Sequence, residues 1–352
     1  MIIMEKDATA EQIKYVVSEI KKSGLKADVS KGEFRTIIGL IGDESRISFT
    51  HLATLPGVKQ AERVETPYKL ISRDYSQRYQ EKGEGYVINI KGIIIGDDKP
   101  VYIAGPCAVE SREQLFRIAQ EVKEAGAHIL RGGVFKPRSS VHSFQGLGSA
   151  GLNEAREALS WLKEAGEKYN MPVMTEVRGE SQVDLVADYV DILQIGARNM
   201  YDQDLLSAVA SKGKPVLLKR HFGASIEEFL SLAEYIAAEG NKDIILCERG
   251  IVPVGKGKNY TRYNLDLSAV PVIHKETFLP IVVDPSHATG RRDLIASMCY
   301  AAVAAGANGL MIEVHYNPQE ALVDANQMII PGELKEIIAT CRMISQVVAK
   351  KD

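Results

Sequence analysis

The stretch V-Y-I-A-G-P-C-A-V-E-S, residues 101–111, joins an apolar run, a Gly-Pro turn, a cysteine and a helix-capping serine. That order is one strand-turn-helix unit. The helix signal is Ser111 with Gln114, a capping box, followed by Leu115, Ile118, Ala119 and Val122 on one face. Cys107 sits in the turn. Packing, a nucleophile, half of a disulfide and a metal ligand are all open readings for it.

The unit recurs downstream. Further apolar runs are H-I-L-R (128–131), P-V-M-T-E (172–176), D-I-L-Q-I (191–195), P-V-L-L-K (215–219), D-I-I-L-C-E (243–248), P-I-V-V-D (280–284) and G-L-M-I-E (309–313). Amphipathic segments separate them, one with a capping box at Ser225 and Glu228. Eight strands alternating with helices over about 250 residues predict an α/β fold, a (β/α)8 TIM barrel. The competitor is a doubly wound open sheet. No G-x-G-x-x-G follows the first strand, and the strand count favours closure.

Upstream, G-Y-V-I-N-I-K-G-I-I-I-G (85–96) is two short β runs around Lys91-Gly92, an N-terminal β-hairpin placed to plug one barrel end. Residues 71–84 are polar and predict a linker. Residues 1–70 carry a β-α-β-β-α-β pattern, a small ferredoxin-like α+β domain. Its first helix opens on Thr9 and Gln12, another capping box, and ends at Gly24. It holds no catalytic constellation; packing or dimerisation is the plain reading, and small-ligand regulation the sharper one. The barrel domain is expected over 85–352.

A net charge of −3 argues against a nucleic-acid or membrane-surface role, so any anionic ligand must be met by local cations. The N-terminus turns acidic too early for a signal peptide and no apolar run spans a bilayer, so a cytoplasmic protein is expected. Cys107, Cys247, Cys299 and Cys341 form no C-x-x-C pair, which argues against a disulfide framework.

In such a barrel the site forms at the C-terminal strand ends. Those positions carry Cys107, Arg131 with Lys136 and Arg138, Glu176, Arg198, Lys219 and Arg220, Glu248 and Arg249, Asp284 and His287, and Glu313 and His315. One strand-end charge is usually just solvated, and a lone Cys or His is usually packed. A whole rim of them is different, because unpaired buried ions cost several kcal/mol each and call for counter-charges. Arg131, Lys136, Arg138, Arg198, Lys219 and Arg249 predict ligands with several negative charges, most simply two phosphates and a carboxylate. Cys107, His287, Glu313 and Asp324 offer sulfur, nitrogen and oxygen donors, a set suited to Mn, Fe, Co or Zn rather than Mg or Ca. No local spacing joins the four. On the residues alone, a metal centre and separate structural roles both stay open.

The ordered runs G-P-C-A-V-E-S, L-R-G-G-V-F-K-P-R-S-S, S-F-Q-G-L-G, I-Q-I-G-A-R-N, V-L-L-K-R, C-E-R-G-I, V-D-P-S-H-A-T-G-R-R-D and E-V-H resemble those of the 3-deoxy-D-arabino-heptulosonate 7-phosphate (DAHP) synthases. The likeness is to the branch with an N-terminal ferredoxin-like regulatory domain and covers nearly the whole chain. It implies condensation of phosphoenolpyruvate with erythrose 4-phosphate and water to give DAHP and phosphate, the first step of the shikimate pathway. It places a divalent metal on Cys107, His287, Glu313 and Asp324. Phosphoenolpyruvate falls to Arg131, Lys136, Ala197, Arg198, Lys219, Arg249 and His287, and erythrose 4-phosphate to Lys136, Pro137, Arg138, Ser139 and Asp284. The catalytic set is Lys136, placed to protonate a reacting oxygen, Glu176, placed to orient the water, and His287. The resemblance also implies a tetramer and feedback inhibition by an aromatic amino acid at the N-terminal domain.

The chain departs from the family pattern at Ser139, Val141-His142, His221 and residues 251–263, which bear on the aldose and place His221 beside the site. The nearest rival is 3-deoxy-octulosonate 8-phosphate synthase, whose family has Ala-Asn in place of the Pro of K-P-R and lacks the N-terminal domain. A rival of another class is a non-catalytic regulatory barrel, which the complete metal and basic sets argue against.

Overall fold

The computed structural model describes residues 1–32, 35–42, 46–62, 67–74, 86–136, 142–254, 258 and 260–348. They divide into two units, Met1–Pro67 and Tyr68–Asp352, each with its own core. In the first, β1 (Ile2–Met4), β2 (Lys26–Lys31), β3 (Thr36–Ile41) and β4 (Val58–Ala61) form an antiparallel sheet in the order β2-β3-β1-β4. Helices Ala10–Lys22 and Phe49–Ala53 complete the ferredoxin-like order. The Thr9–Gln12 capping box is formed, and it aims Val16 and Ile20 at Ile2, Met4, Ile38 and Leu40.

The second unit begins with a hairpin, β5 (Ile88–Ile90) and β6 (Ile93–Ile95), paired antiparallel. Lys91 and Gly92 both take positive φ, 49° and 89°, the two-residue turn whose twist suits a hairpin. Tyr86 Oη donates to the Lys242 carbonyl at 2.6 Å, and Lys91 pairs with Asp191 at 2.8 Å. Both partners precede barrel strands, so the hairpin covers the N-terminal strand ends and leaves the opposite rim to the site.

Eight parallel strands close the barrel: β7 (Val101–Gly105), β8 (Ile129–Arg131), β9 (Val173–Val177), β10 (Ile192–Ile195), β11 (Val216–Lys219), β12 (Ile244–Glu248), β13 (Ile281–Val283) and β14 (Gly309–Glu313), which pairs back onto β7. Being covered on both faces, they are buried and mostly apolar, with the charged residues gathered toward their C-terminal ends, which is why the runs read so plainly. Gly105 has φ 152°, and a Cβ there would lie 2.0 Å from the Arg131 carbonyl oxygen. Only glycine lets the end of β7 pass that close to β8. Among the described residues no helix is long and apolar enough to cross a membrane.

Two expectations need correction. The small unit ends at Pro67, not 70, and the segment from 71 does not begin as a free linker. Lys69, Leu70 and Ile71 donate their backbone N–H groups to the Glu234 carboxylate at 2.8–3.2 Å, Ile71 is buried, and Tyr68 Oη donates to Glu276 at 2.8 Å. Residues 68–74 are thus part of the barrel unit, while 75–84 lie outside the described residues. The capping box at Ser111 is only half formed. Ser111 Oγ accepts the Gln114 N–H, but the Gln114 side chain turns away to accept from Glu110 N and donate to the Ala108 carbonyl, both at 3.2 Å. It braces the turn that carries Cys107 instead.

Candidate active site

Four side chains from four segments meet at the C-terminal rim. Cys107 follows β7 and is fully buried, with the ladder carried past the strand by Val109 N donating to Gly133 O at 2.9 Å. His287 lies on the short helix Pro285–Thr289, capped by Asp284 Oδ1 accepting the His287 N–H at 3.0 Å. Glu313 ends β14, and Asp324 stands in a loop at φ 51°, a left-handed conformation that a short carboxylate side chain tolerates. The sulfur, the imidazole nitrogen and the two carboxylate oxygens all lie within 4.8 Å of one another.

The local chemistry fits a divalent ion. Asp284 Oδ2 accepts from His287 Nδ1 at 2.7 Å and from Lys219 Nζ at 2.6 Å. A carboxylate held by two donors is an acceptor, so the His287 proton sits on Nδ1 and the Nε2 lone pair points at Glu313 Oε1, 3.3 Å away. Burial lowers the His287 pKa despite the Asp284 and Glu313 charges, which leaves the ring neutral. Two lone pairs so placed repel unless a cation lies between them. Ligands about 2.1 Å from a shared ion stand about 3.0–3.4 Å apart, which the 3.3 Å between His287 Nε2 and Glu313 Oε1 matches. Cys107 adds to the case. Burial pushes its thiol pKa up, with Glu313 and Asp324 adding to the shift, and the thiol donates to Asp324 Oδ2 at 3.4 Å. A cation would turn that crowding of negative groups into ligation.

Above the cluster opens a cavity of about 260 Å³ lined by Lys136, Glu176, Ala197, Arg198, Lys219, Arg249, His287 and Asp324. Arg131 lies beneath it, buried, with Nη1 on Glu313 Oε1 at 2.6 Å. Burial opposes the charge of Lys136, but Cys107 and Glu313 outweigh it and its pKa is raised, so it is protonated at neutral pH. Arg249 Nη2 donates to the His287 carbonyl at 3.3 Å, and its guanidinium lies 4.2 Å over the Tyr263 ring. Arg249 Nη1 and Arg131 Nε are buried donors without an acceptor among the described residues. An anionic ligand would satisfy them.

Most expected residues converge here, with some exceptions. Asp284, expected against the sugar phosphate, is fully buried and does not line the cavity. Lys219 and His287 occupy it, so its place is behind the histidine. Its pKa is far below the usual carboxylate range: burial opposes the charge, but His287 and Lys219 overcome it. Arg220 and Glu248 pair at 3.0 Å in a buried network with Asp266, and His315 is buried outside the cavity. His221 does not line the cavity either; its ring packs on Tyr201 and Phe222, and Phe222 is the lining residue. Pro137, Arg138 and Ser139 lie outside the described residues. Sequence reasoning missed Phe222, Arg262, Tyr263 and Gln327. Arg262 and Tyr263 lie in 251–263 and Phe222 adjoins His221, both places where the chain departs from the family pattern, which was the available signal.

The profile of the DAHP synthetase I family matches residues 78–349, and that of the DAHP synthase ferredoxin-like domain matches residues 1–66. A phospho-2-dehydro-3-deoxyheptonate aldolase of Thermotoga maritima is 45% identical over 351 residues, spanning 100% of this chain and 99% of its own. The crystal structure of phospho-2-dehydro-3-deoxyheptonate aldolase (DAHP synthase) from Thermotoga maritima matches with a TM-score of 0.75 at 44% identity, over 99% of this chain and 97% of that one. A 2-dehydro-3-deoxyphosphooctonate aldolase of Syntrophobacter fumaroxidans is more distant, 32% identical over 67% of this chain and 83% of its own. With its full-length match and both family regions in order, this chain belongs to the DAHP synthetase I family and carries that family's ferredoxin-like domain.

Proposed function

We infer that the chain condenses phosphoenolpyruvate with erythrose 4-phosphate and water, giving DAHP and phosphate. The observation that carries this reading is one cavity with a Cys-His-Glu-Asp cluster at its floor and the unsatisfied buried Nη1 of Arg249 in its wall. A divalent ion such as Mn, Fe, Co or Zn held by Cys107, His287, Glu313 and Asp324 supplies Lewis acidity toward the aldehyde oxygen. Arg131, Arg198, Lys219 and Arg249 hold the carboxylate and phosphate of phosphoenolpyruvate and fix its enol carbon toward the aldehyde. As the new C–C bond forms, Lys136 gives its proton to the former aldehyde oxygen. Positive character then develops at C2, where Glu176, held by Gln194 Nε2 at 3.1 Å, accepts a hydrogen bond from the attacking water, and the proton that water loses returns to Lys136, now a neutral amine in the same cavity. The resulting hemiketal phosphate loses phosphate by C–O cleavage.

The test is phosphate release from phosphoenolpyruvate with Mn present, offering erythrose 4-phosphate or arabinose 5-phosphate. Faster turnover with the four-carbon sugar is expected. Preference for the five-carbon sugar would move the chain to the octulosonate branch, and no turnover with either would leave the non-catalytic barrel.

The ferredoxin-like unit is the proposed seat of feedback inhibition by tyrosine or phenylalanine, in a cytoplasmic homotetramer. A chain starting at Tyr68 is expected to keep activity and lose such inhibition. It must retain residues 68–74, because a start at 75 removes buried Ile71 and the donors on Glu234. Equal inhibition of the shortened chain contradicts the assignment.

A further inference from the structure

Glu313 is held differently at its two oxygens. Oε1 faces the cluster, 3.3 Å from His287 Nε2 and 2.6 Å from Arg131 Nη1. Oε2 accepts from Gln327 Nε2 at 2.6 Å. Gln327 is buried, on the turn Ala325–Gln327 that follows Asp324, and its backbone N–H donates to the Asp324 carbonyl at 3.1 Å. Arg262 Nη1 donates to Gln327 Oε1 at 3.3 Å. Arginine can only donate, so the amide oxygen must face Arg262 and the amide nitrogen must face Glu313. The side chain has one workable orientation.

We propose that Gln327 is a positioning residue that holds Glu313 to ligation through Oε1 alone, and ties its geometry to that of Asp324. The inference rests on the metal reading above. With Oε2 engaged, Glu313 cannot turn both oxygens toward the ion, so the cluster keeps four donor atoms from four side chains and a compact coordination sphere. Through the Asp324 carbonyl, the same residue sets the loop that delivers another ligand. Arg262 arrives from the segment after β12, where Ile251 and Asn264 exchange backbone hydrogen bonds at 2.9 Å, and it keeps the amide from flipping. Without the amide donor, Oε2 swings toward the ion, and a site built for a small transition ion opens to larger ones that accept two-oxygen ligation.

The test is direct titration of the metal-free full chain with Co2+, read by the cobalt–thiolate charge-transfer band of Cys107, with Cd2+ compared by competition. Gln327→Met keeps the volume and removes the donor. It is expected to weaken Co2+ binding about 10- to 100-fold, the usual effect of losing a partner behind a ligand, with a smaller loss for Cd2+. Gln327→Asn, which keeps the amide but shortens its reach, carries the same expectation if the Met variant does not fold. A merely structural glutamine would lower the unfolding temperature of the metal-free chain and leave Co2+ affinity unchanged; that result overturns the proposal, as does equal weakening for both ions. Absence of the thiolate band in the parent chain overturns the metal reading itself, and this inference with it.

Discussion

Cys107→Ala is expected to cut phosphate release by more than about 100-fold, since even partners behind a metal ligand cost 10- to 100-fold when lost. The fold should survive. The change removes one sulfur atom from a small cluster of Ala108, Val323 and Met328, with Phe144 and Ala321 against it, and frees no buried charge. Burial holds the thiol pKa above its ordinary value, so the group is protonated without a cation. Binding an ion as thiolate therefore releases a proton, and affinity should fall as pH falls. Cys107→Ser keeps the shape but offers a hydroxyl that stays protonated at neutral pH, so it should bind metal weakly and sit between parent and alanine. Circular dichroism and metal content separate these outcomes from misfolding. Parental turnover in a folded, metal-loaded Cys107→Ala chain contradicts the ligand role.

Arg249→Ala should produce the other large effect, on kcat/KM for phosphoenolpyruvate. Its guanidinium is oriented from two sides, by the His287 carbonyl and the Tyr263 ring, and its Nη1 has no acceptor among the described residues. Truncating one partner of a buried, hydrogen-bonded charge pair costs about 2–5 kcal/mol, or roughly 30-fold to several thousand-fold. Arg249→Lys restores the charge without the planar fork or the ring stacking, so recovery should be partial. The loss should appear for phosphoenolpyruvate, with the KM of the aldose phosphate little changed. An unaltered kcat/KM for phosphoenolpyruvate would remove Arg249 from the anion site.

The barrel was legible because its strands are buried on both faces, which makes each an apolar run whatever its neighbours. The rim residues were legible because topology puts every strand end on one side. Asp284 and Glu313 look alike on that basis, and what separates them is long-range. Lys219 and His287 close over Asp284, whereas Glu313 Oε1 faces the cluster. The linker boundary failed for a similar reason: K-L-I-S-R-D is polar in sequence, yet its backbone donors are taken by Glu234 on a distant helix. Arg262, Tyr263 and Gln327 come from loops set by tertiary pairings, Ile251 with Asn264 and Val314 with Ile329, and Phe222 is placed by its carbonyl accepting from Val252 N at 2.8 Å; no local pattern reports these contacts.

The most direct measurement is phosphate release from phosphoenolpyruvate and erythrose 4-phosphate by chain stripped of metal, before and after Mn2+ is restored. Turnover absent after stripping and recovered with Mn2+ is the predicted result. Full turnover in the verified metal-free chain would contradict a metal-dependent condensation at Cys107, His287, Glu313 and Asp324.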